Sequence, residues 1–282
     1  LAPIVDGLYQ HPEKEGAYAL ILGMIGFSIQ IYGDFSGYSD MALGIAKLFG
    51  FELLSNFRFP YLSRNVAEFW RRWHISLSSW FRDYVYIPLG GSRRGKWLAV
   101  RNTLIVFLVS GFWHGASWNF LIWGGLHGLA FLPLLLLNWS KQYGNSVVAQ
   151  YRSLPSFTEV AQVGFTFLFI TCTWVFFRVP EFSKAILFFK HLIYDAAFHP
   201  MQFLHRPTAK QVSDNSLLWI PLCMVLSILG DWYLRHNERE LRVPQKNGVR
   251  YALYFLLFSV CLIKLIITAV LETPTNFIYF QF

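Results

Sequence analysis

Three of the eight histidines stand among apolar or aromatic neighbours, where an ionisable side chain is costly and so points to function. His114, in Phe112-Trp113-His114-Gly115-Ala116, heads them. A desolvated imidazole is neutral and can accept a proton, which is what a general base does. The competing reading is a histidine hydrogen-bonded between helices for packing. His127, in Trp123-Gly124-Gly125-Leu126-His127-Gly128, fits packing better, because the glycines permit close helix approach. His74 closes Trp70-Arg71-Arg72-Trp73-His74 and either lines a cytoplasmic entrance to a cavity or lies at the lipid headgroups. Trp113, beside His114, is a candidate to line bound substrate.

Asp34 and Asp40 flank a Ser/Gly/Tyr cluster and could hydrogen-bond a hydroxylated substrate, although capping of two helices is the simpler role. Arg71, Arg72, Arg93, Arg94 and Lys96 could meet a phosphate-rich ligand. Lys264, inside an apolar run, is read as snorkelling or paired. Gly33-Asp34-Phe35-Ser36-Gly37 misses the GxSxG nucleophile elbow by one position, and HExxH, Walker A and GxGxxG are absent. Cys172, Cys223 and Cys261 sit in apolar runs without CxxC spacing, so no metal site is expected and the thiols read as buried small hydrophobes. Without an activated Ser or Cys, direct base-assisted transfer is easier to defend than a covalent enzyme intermediate.

What must hold these residues is a membrane protein. Of 282 residues, 55% are hydrophobic and 19% aromatic, while only 14% are charged, against about 25% in soluble domains. Nine basic residues and two acidic ones fall between Arg58 and Arg101, which accounts for most of the net charge of +8. In a soluble chain that block would suggest nucleic acid. Interleaved with apolar stretches it fits the positive-inside rule, placing it on the cytoplasmic side with no nucleic-acid partner.

A spanning helix needs about 20 apolar residues. Ala17–Tyr32 is the first candidate, ending in the polar cluster at 33–40; Met41–Phe51 resumes as a helix too short to cross. Glu68–Tyr86 reads as an amphipathic helix at headgroup level. Asn102–Leu137 is nearly uncharged, too long for one crossing and too short for two plus a turn, so it must break. Gly111 to Gly115 is the place, with His114 roughly 18 Å from Asn102 and near the bilayer centre. Spans follow at Val160–Phe177, Leu217–Leu234 and Tyr251–Leu271, with an amphipathic piece at Phe182–Tyr194. The fold class expected is all-α and polytopic, with short intramembrane and interfacial helices, in one domain over residues 1–282.

The motifs carry a resemblance. Asp34-Phe35-Ser36-Gly37-Tyr38-Ser39-Asp40-Met41-Ala42, Asn56-Phe57-Arg58-Phe59-Pro60-Tyr61-Leu62-Ser63-Arg64 and Glu68-Phe69-Trp70-Arg71-Arg72-Trp73-His74-Ile75-Ser76-Leu77-Ser78 come in order. Tyr86-Ile87-Pro88-Leu89-Gly90-Gly91, Phe112-Trp113-His114-Gly115-Ala116 and the tail Phe277-Ile278-Tyr279-Phe280-Gln281-Phe282 follow. Together they resemble the bacterial membrane-bound O-acyltransferase family, in its alginate O-acetyltransferase-like branch, with the teichoic acid D-alanyl transferases more distant. The likeness is dense from about Tyr32 to Gly128 and thins afterwards to Trp174-Val175-Phe176-Phe177-Arg178 and the tail.

The resemblance implies helices around a funnel or tunnel, with His114 as catalytic base at its depth and His74 as accessory. It implies acetyl-CoA or another acyl thioester as cosubstrate, with no bound cofactor. It also implies an exported polysaccharide as acceptor, reached directly or through a periplasmic or surface acetyltransferase, and a multi-pass protein of the bacterial inner membrane. Relatives carry further N-terminal spans, and the chain opens on Leu1, so a longer parent protein is expected. Tyr279 could carry the acyl group onward, though interfacial anchoring explains the aromatic tail as well. A transporter or export channel would also place His114 and His127 on a path through the bilayer; the lack of two related halves in the sequence counts against it.

Overall fold

The computed structural model describes residues 2–93, 95–179, 181–198, 218–236 and 246–271. Within them the chain is helical, without a strand. The helices are α1 (Ala2–Gln10), α2 (Ala17–Leu48), α3 (Val66–Arg72), α4 (Ile75–Phe81), α5 (Lys96–His114), α6 (Trp118–Leu136), α7 (Phe157–Arg178), α8 (Phe182–Phe198), α9 (Trp219–Leu234) and α10 (Asn247–Leu271). By length and composition α2, α6 and α7 are long and apolar enough to cross a membrane, and α9 is a shorter apolar helix. The protein is polytopic and all-α. Tyr279 lies outside the described residues, as do Arg94 and the side chain of Lys264.

Three expectations about the elements are corrected. First, α2 runs unbroken for 32 residues through the polar cluster. That cluster contains no proline, so every backbone N–H can stay in the ladder. Tyr32, Phe35, Ser36 and Ser39 bury one face there, with Phe35 packed on Phe57 at 4.9 Å. Asp34 and Asp40 are therefore exposed positions in mid-helix and cap nothing.

Second, the segment expected at headgroup level is divided, and its first part, α3, lies inside the protein, while much of 75–86 stays at the surface. Phe69 and Glu68 are fully buried in α3, and Trp73 nearly so. Burial of Arg72, and of Arg64 beside it, is possible because Glu68 neutralises them. The Glu68 carboxylate accepts bonds from the Arg64 backbone N–H (2.7 Å), Arg64 Nε (3.1 Å) and Nη2 (2.9 Å), and from Arg72 Nη2 (2.8 Å). Asn65 caps α3 by accepting from the Glu68 N–H at 2.8 Å.

Third, the helical hairpin breaks at Gly115 as expected but is longer than expected. Its first arm starts at Lys96, so α5 and α6 have 19 residues each, about 28 Å of rise. The second arm is thus long enough to cross on its own. A buried Asn102 donates to the carbonyls of Leu89 and Gly91 and ties the 87–95 loop to α5. The two arms approach backbone to backbone. A Cβ on Gly111 would stand 2.2 Å from the Phe120 carbonyl oxygen, and one on Gly124 would stand 2.3 Å from that of Phe107.

The expected span at 160–177 appears as α7, the segment expected at 251–271 is helical within α10, and α9 covers 219–234. α7 opens with a Ser156/Glu159 capping box. The chain direction alternates. Lys96, Leu136 and the 138–156 segment lie at one basic end, as the Lys96 Nζ to Leu136 carbonyl bond shows. At the other end Asn119 donates to the Val179 carbonyl and Arg178 pairs with Asp6.

Two stability outcomes follow. Gly124→Ala should lower the thermal midpoint in detergent by an overpacking cost of about 1–3 kcal/mol. Gly125→Ala, whose Cβ would meet only Leu108 Cδ2 at 3.8 Å, should not. Glu68→Gln leaves two buried guanidiniums short of their carboxylate and should cost about 3–5 kcal/mol, read as loss of monodisperse protein on size exclusion.

Candidate active site

His114 ends α5, where Gly115 lets the chain turn. Phe120 from α6 packs so closely there that a Cβ on Gly115 would lie 2.7 Å from its ring. The imidazole is half-buried in an aromatic cage. Its ring centroid is 4.7 Å from Trp113, 4.9 Å from Phe177 and 5.3 Å from Trp123, all edge to face. Among the described residues no hydrogen bond holds either ring nitrogen. A neutral imidazole without internal partners, walled by apolar rings, is free to take a proton from a bound hydroxyl.

His127 is the opposite case. It is fully buried. The Trp70 indole N–H donates to Nδ1 at 3.2 Å, so Nδ1 carries no proton. Nε2 then carries it and donates to Thr173 Oγ1 at 3.0 Å, and that hydroxyl donates to the Ile170 carbonyl at 2.8 Å. Both nitrogens are occupied and the tautomer is fixed. His127 joins α3, α6 and α7, which is the packing role its glycine-rich surroundings suggested.

His74 is held in the left-handed region, at φ 46° and ψ 57°. For a non-glycine residue this costs about 1–2 kcal/mol, and it persists because neighbours pin it on both sides. Arg58 N–H donates to the Arg72 carbonyl, and Ile75 N–H to that of Asn56; the Asn56 side chain accepts from Ser76 N–H at 3.2 Å. The imidazole packs edge-on to Phe35 at 4.7 Å, with Ser76 Oγ 3.4 Å from Nδ1. This break lies outside the spanning helices, and burial pushes the imidazole down to about 4, so it is neutral at physiological pH. Trp73, next to His74, packs on Trp174, which packs on Phe177 beside His114. Residues far apart in the chain thus converge on one region.

The two candidate arginines part company. Arg72 is buried, with its guanidinium committed to Glu68 and to the carbonyls of Arg58 and Ser146. Arg71 donates through Nη1 to the Ser140 carbonyl, while its Nε and Nη2 are buried without a partner among the described residues. Arg71 also borders an apolar cavity of about 430 Å³ between α3–α4 and the hairpin. That corridor has Arg82 and Lys141 in its lining and reaches Ser110, one turn before His114. Trp113 is exposed beside His114, and Asp34 and Asp40 stay on exposed positions of α2.

The sequence did not single out Trp123, Trp174 and Phe177 for the site. The two indoles are buried and stacked at 5.8 Å, and both N–H groups lack a partner among the described residues. Their only signal was position in Trp-Gly-Gly and Trp-Val-Phe-Phe-Arg runs, which reads equally as core. No cluster of three or more metal-ligating side chains occurs among the described residues.

Comparison with known proteins gives the family. Residues 14–179 match the family model of the membrane-bound O-acyltransferases. The whole chain is 34% identical to a probable alginate O-acetylase AlgI of Pseudomonas putida, covering 57% of it. Over 92% of the chain it is 34% identical to a peptidoglycan O-acetyltransferase of Helicobacter pylori, covering 48% of that protein. Over 53% of the chain it is 33% identical to a teichoic acid D-alanyltransferase of Bacillus subtilis, covering 38% of that protein. The chain spans about half the length of the first two relatives. A match over more than half its residues, centred on the helices that build the histidine site, makes this chain a member of the membrane-bound O-acyltransferase family.

Proposed function

We propose that the protein to which this chain belongs transfers an acyl group, acetyl in the first instance, from a thioester to a hydroxyl of an exported cell-envelope polysaccharide. The observation that carries the reading is the contrast between two histidines: among the described residues His127 has both nitrogens engaged, whereas His114 has neither and sits in an aromatic cage. Relatives named for O-acetylation of alginate and of peptidoglycan support the acetyl group and the polysaccharide acceptor. The transporter reading finds no support among them.

In this reading His114 takes the proton of the acceptor hydroxyl as its oxygen attacks the thioester carbonyl. The new C–O bond forms, the tetrahedral intermediate collapses with loss of the C–S bond, and the proton passes from His114 to the departing thiolate. Acetyl-CoA, or another acyl thioester, is the donor. It approaches from the basic end, which the positive-inside rule assigns to the cytoplasmic face of the inner membrane. Its phosphates meet Arg71, Arg82 and Lys141, and its arm follows the apolar corridor along α5. His74 orients the donor or stabilises charge on the intermediate. The acceptor receives the group directly or through a periplasmic or surface acetyltransferase. Arg72, by contrast, acts through the fold.

Transfer of label from acetyl-CoA by the full-length protein in proteoliposomes tests this. His114→Ala should fold normally and lose at least about 100-fold in rate. His74→Asn, which tolerates the left-handed backbone, should keep the fold and still lose rate. His127→Ala should instead lose stability, by about 1–3 kcal/mol. Undiminished transfer by a folded His114→Ala protein would remove the histidine from the mechanism.

A further inference from the structure

The wall that α5 gives the apolar corridor is interrupted at two points by hydroxyls. Thr103, Val106, Phe107 and Ser110 form that wall. With His114 one turn beyond, they recur at three and four residues and so share one face of the helix. Thr103 and Ser110 are buried residues. A serine or threonine inside a helix often spends its hydroxyl on the carbonyl one turn back. Ser28 does so, donating to the Met24 carbonyl at 3.0 Å, and Thr173 donates to that of Ile170. Among the described residues the hydroxyls of Thr103 and Ser110 make no such bond, although both residues border the cavity. A hydroxyl kept in apolar surroundings calls for a partner, and here an occupant of the corridor supplies it. A plain hydrocarbon occupant would leave both hydroxyls unmatched.

Their spacing measures what fits. Along α5, Ser110 stands about 6 Å from His114 and Thr103 about 16 Å from it. A phosphopantetheine arm has about five bonds between its thioester carbonyl carbon and the nearer amide carbonyl, and about fourteen to its phosphorus. At the extended-chain rise of about 3.4 Å per three bonds, those two lengths are about 6 Å and about 16 Å. The charges lie at the matching end. Lys141 lines the corridor, and Arg71 is tied to the neighbouring Ser140 carbonyl, both at the basic end where α5 begins. Thr103 is therefore the hydroxyl nearer the charges, and Ser110 the one nearer the base.

Resting on acyl transfer at His114, we propose that this face of α5 is a ruler for the donor. Ser110 donates to the carbonyl of the amide nearer the sulfur, and Thr103 donates to an oxygen of the phosphate at the far end of the arm. Held at both points, the arm brings its thioester carbonyl to His114. The pair selects a phosphopantetheine thioester over an acyl group carried on a short thiol or on a plain hydrocarbon.

Initial-rate kinetics of the full-length protein in proteoliposomes test each contact against a donor that lacks it. With acetyl-CoA, Ser110→Ala should raise KM about tenfold and act little on kcat, as loss of a bond made equally in ground and transition states does. With an analogue in which two methylenes replace the amide nearer the sulfur, wild type and Ser110→Ala should share one KM. Thr103→Val, which keeps the shape of the side chain, should raise KM for acetyl-CoA about tenfold or more. It should leave KM for acetyl-pantetheine, which has no phosphate, as in wild type. Thermal unfolding checks that both variants are folded. An unchanged KM for acetyl-CoA in either variant, or a penalty equal for intact and truncated donors, would overturn the ruler and leave acyl transfer at His114 standing. Absence of transfer from every thioester by wild type would overturn both.

Discussion

The buried carboxylate of Glu68 is the interaction on which the rest depends. A guanidinium in a low-dielectric interior persists only if its charge is met and its donors are filled. Here Arg64 and Arg72 converge on Glu68, with Glu159 3.5 Å from the far side of Arg64. Two positive and two negative groups are thereby enclosed, and Ser146 offers its carbonyl to both arginines. That arrangement lets α3, which carries two consecutive arginines, stand inside the protein. It also joins α3 to the 138–156 segment and to the start of α7.

Once α3 is fixed, its aromatic residues organise the neighbourhood. Trp70 reaches His127 and sets its tautomer. Trp73 packs on Phe57, Phe69 and Trp174, and Trp174 in turn stacks on Trp123, which walls His114. The chain leaves α3 through a left-handed residue at His74, held by the 56–58 segment. The strained backbone and the uncommitted imidazole are consequences of the same packing. Rigid aromatic walls around a base with unoccupied nitrogens are what preorganised proton transfer requires.

Legibility in the sequence followed the kind of physics involved. The all-α membrane class was plain from 55% hydrophobic and 14% charged residues, because bilayer solvation acts on composition directly. The hairpin break at Gly115 was readable, since a continuous helix of that length fits no single crossing. The course of α2 through 33–40 was not. Local polarity looked like a turn, whereas burial of Tyr32, Phe35, Ser36 and Ser39, with Tyr32 and Phe35 packed on Phe57, keeps it helical. The location of α3 was misread for a related reason. An amphipathic pattern with arginines suits a membrane surface equally well until a buried Glu68 is seen between them.

The sequence by itself determined the membrane class, the family motifs and the short list of histidines, because each rests on composition or on residues close together in the chain. It put His114 ahead of His127 but could not fix what either imidazole touches. His114 and His127 sit in similar apolar, glycine-rich runs, and only the tertiary structure gives one of them two hydrogen-bond partners and the other none among the described residues. It likewise could not separate Arg71 from its neighbour Arg72, which differ by whether Glu68 is within reach. A side chain's availability is set by what the rest of the fold leaves unpaired, and that is decided by contacts between residues distant in sequence.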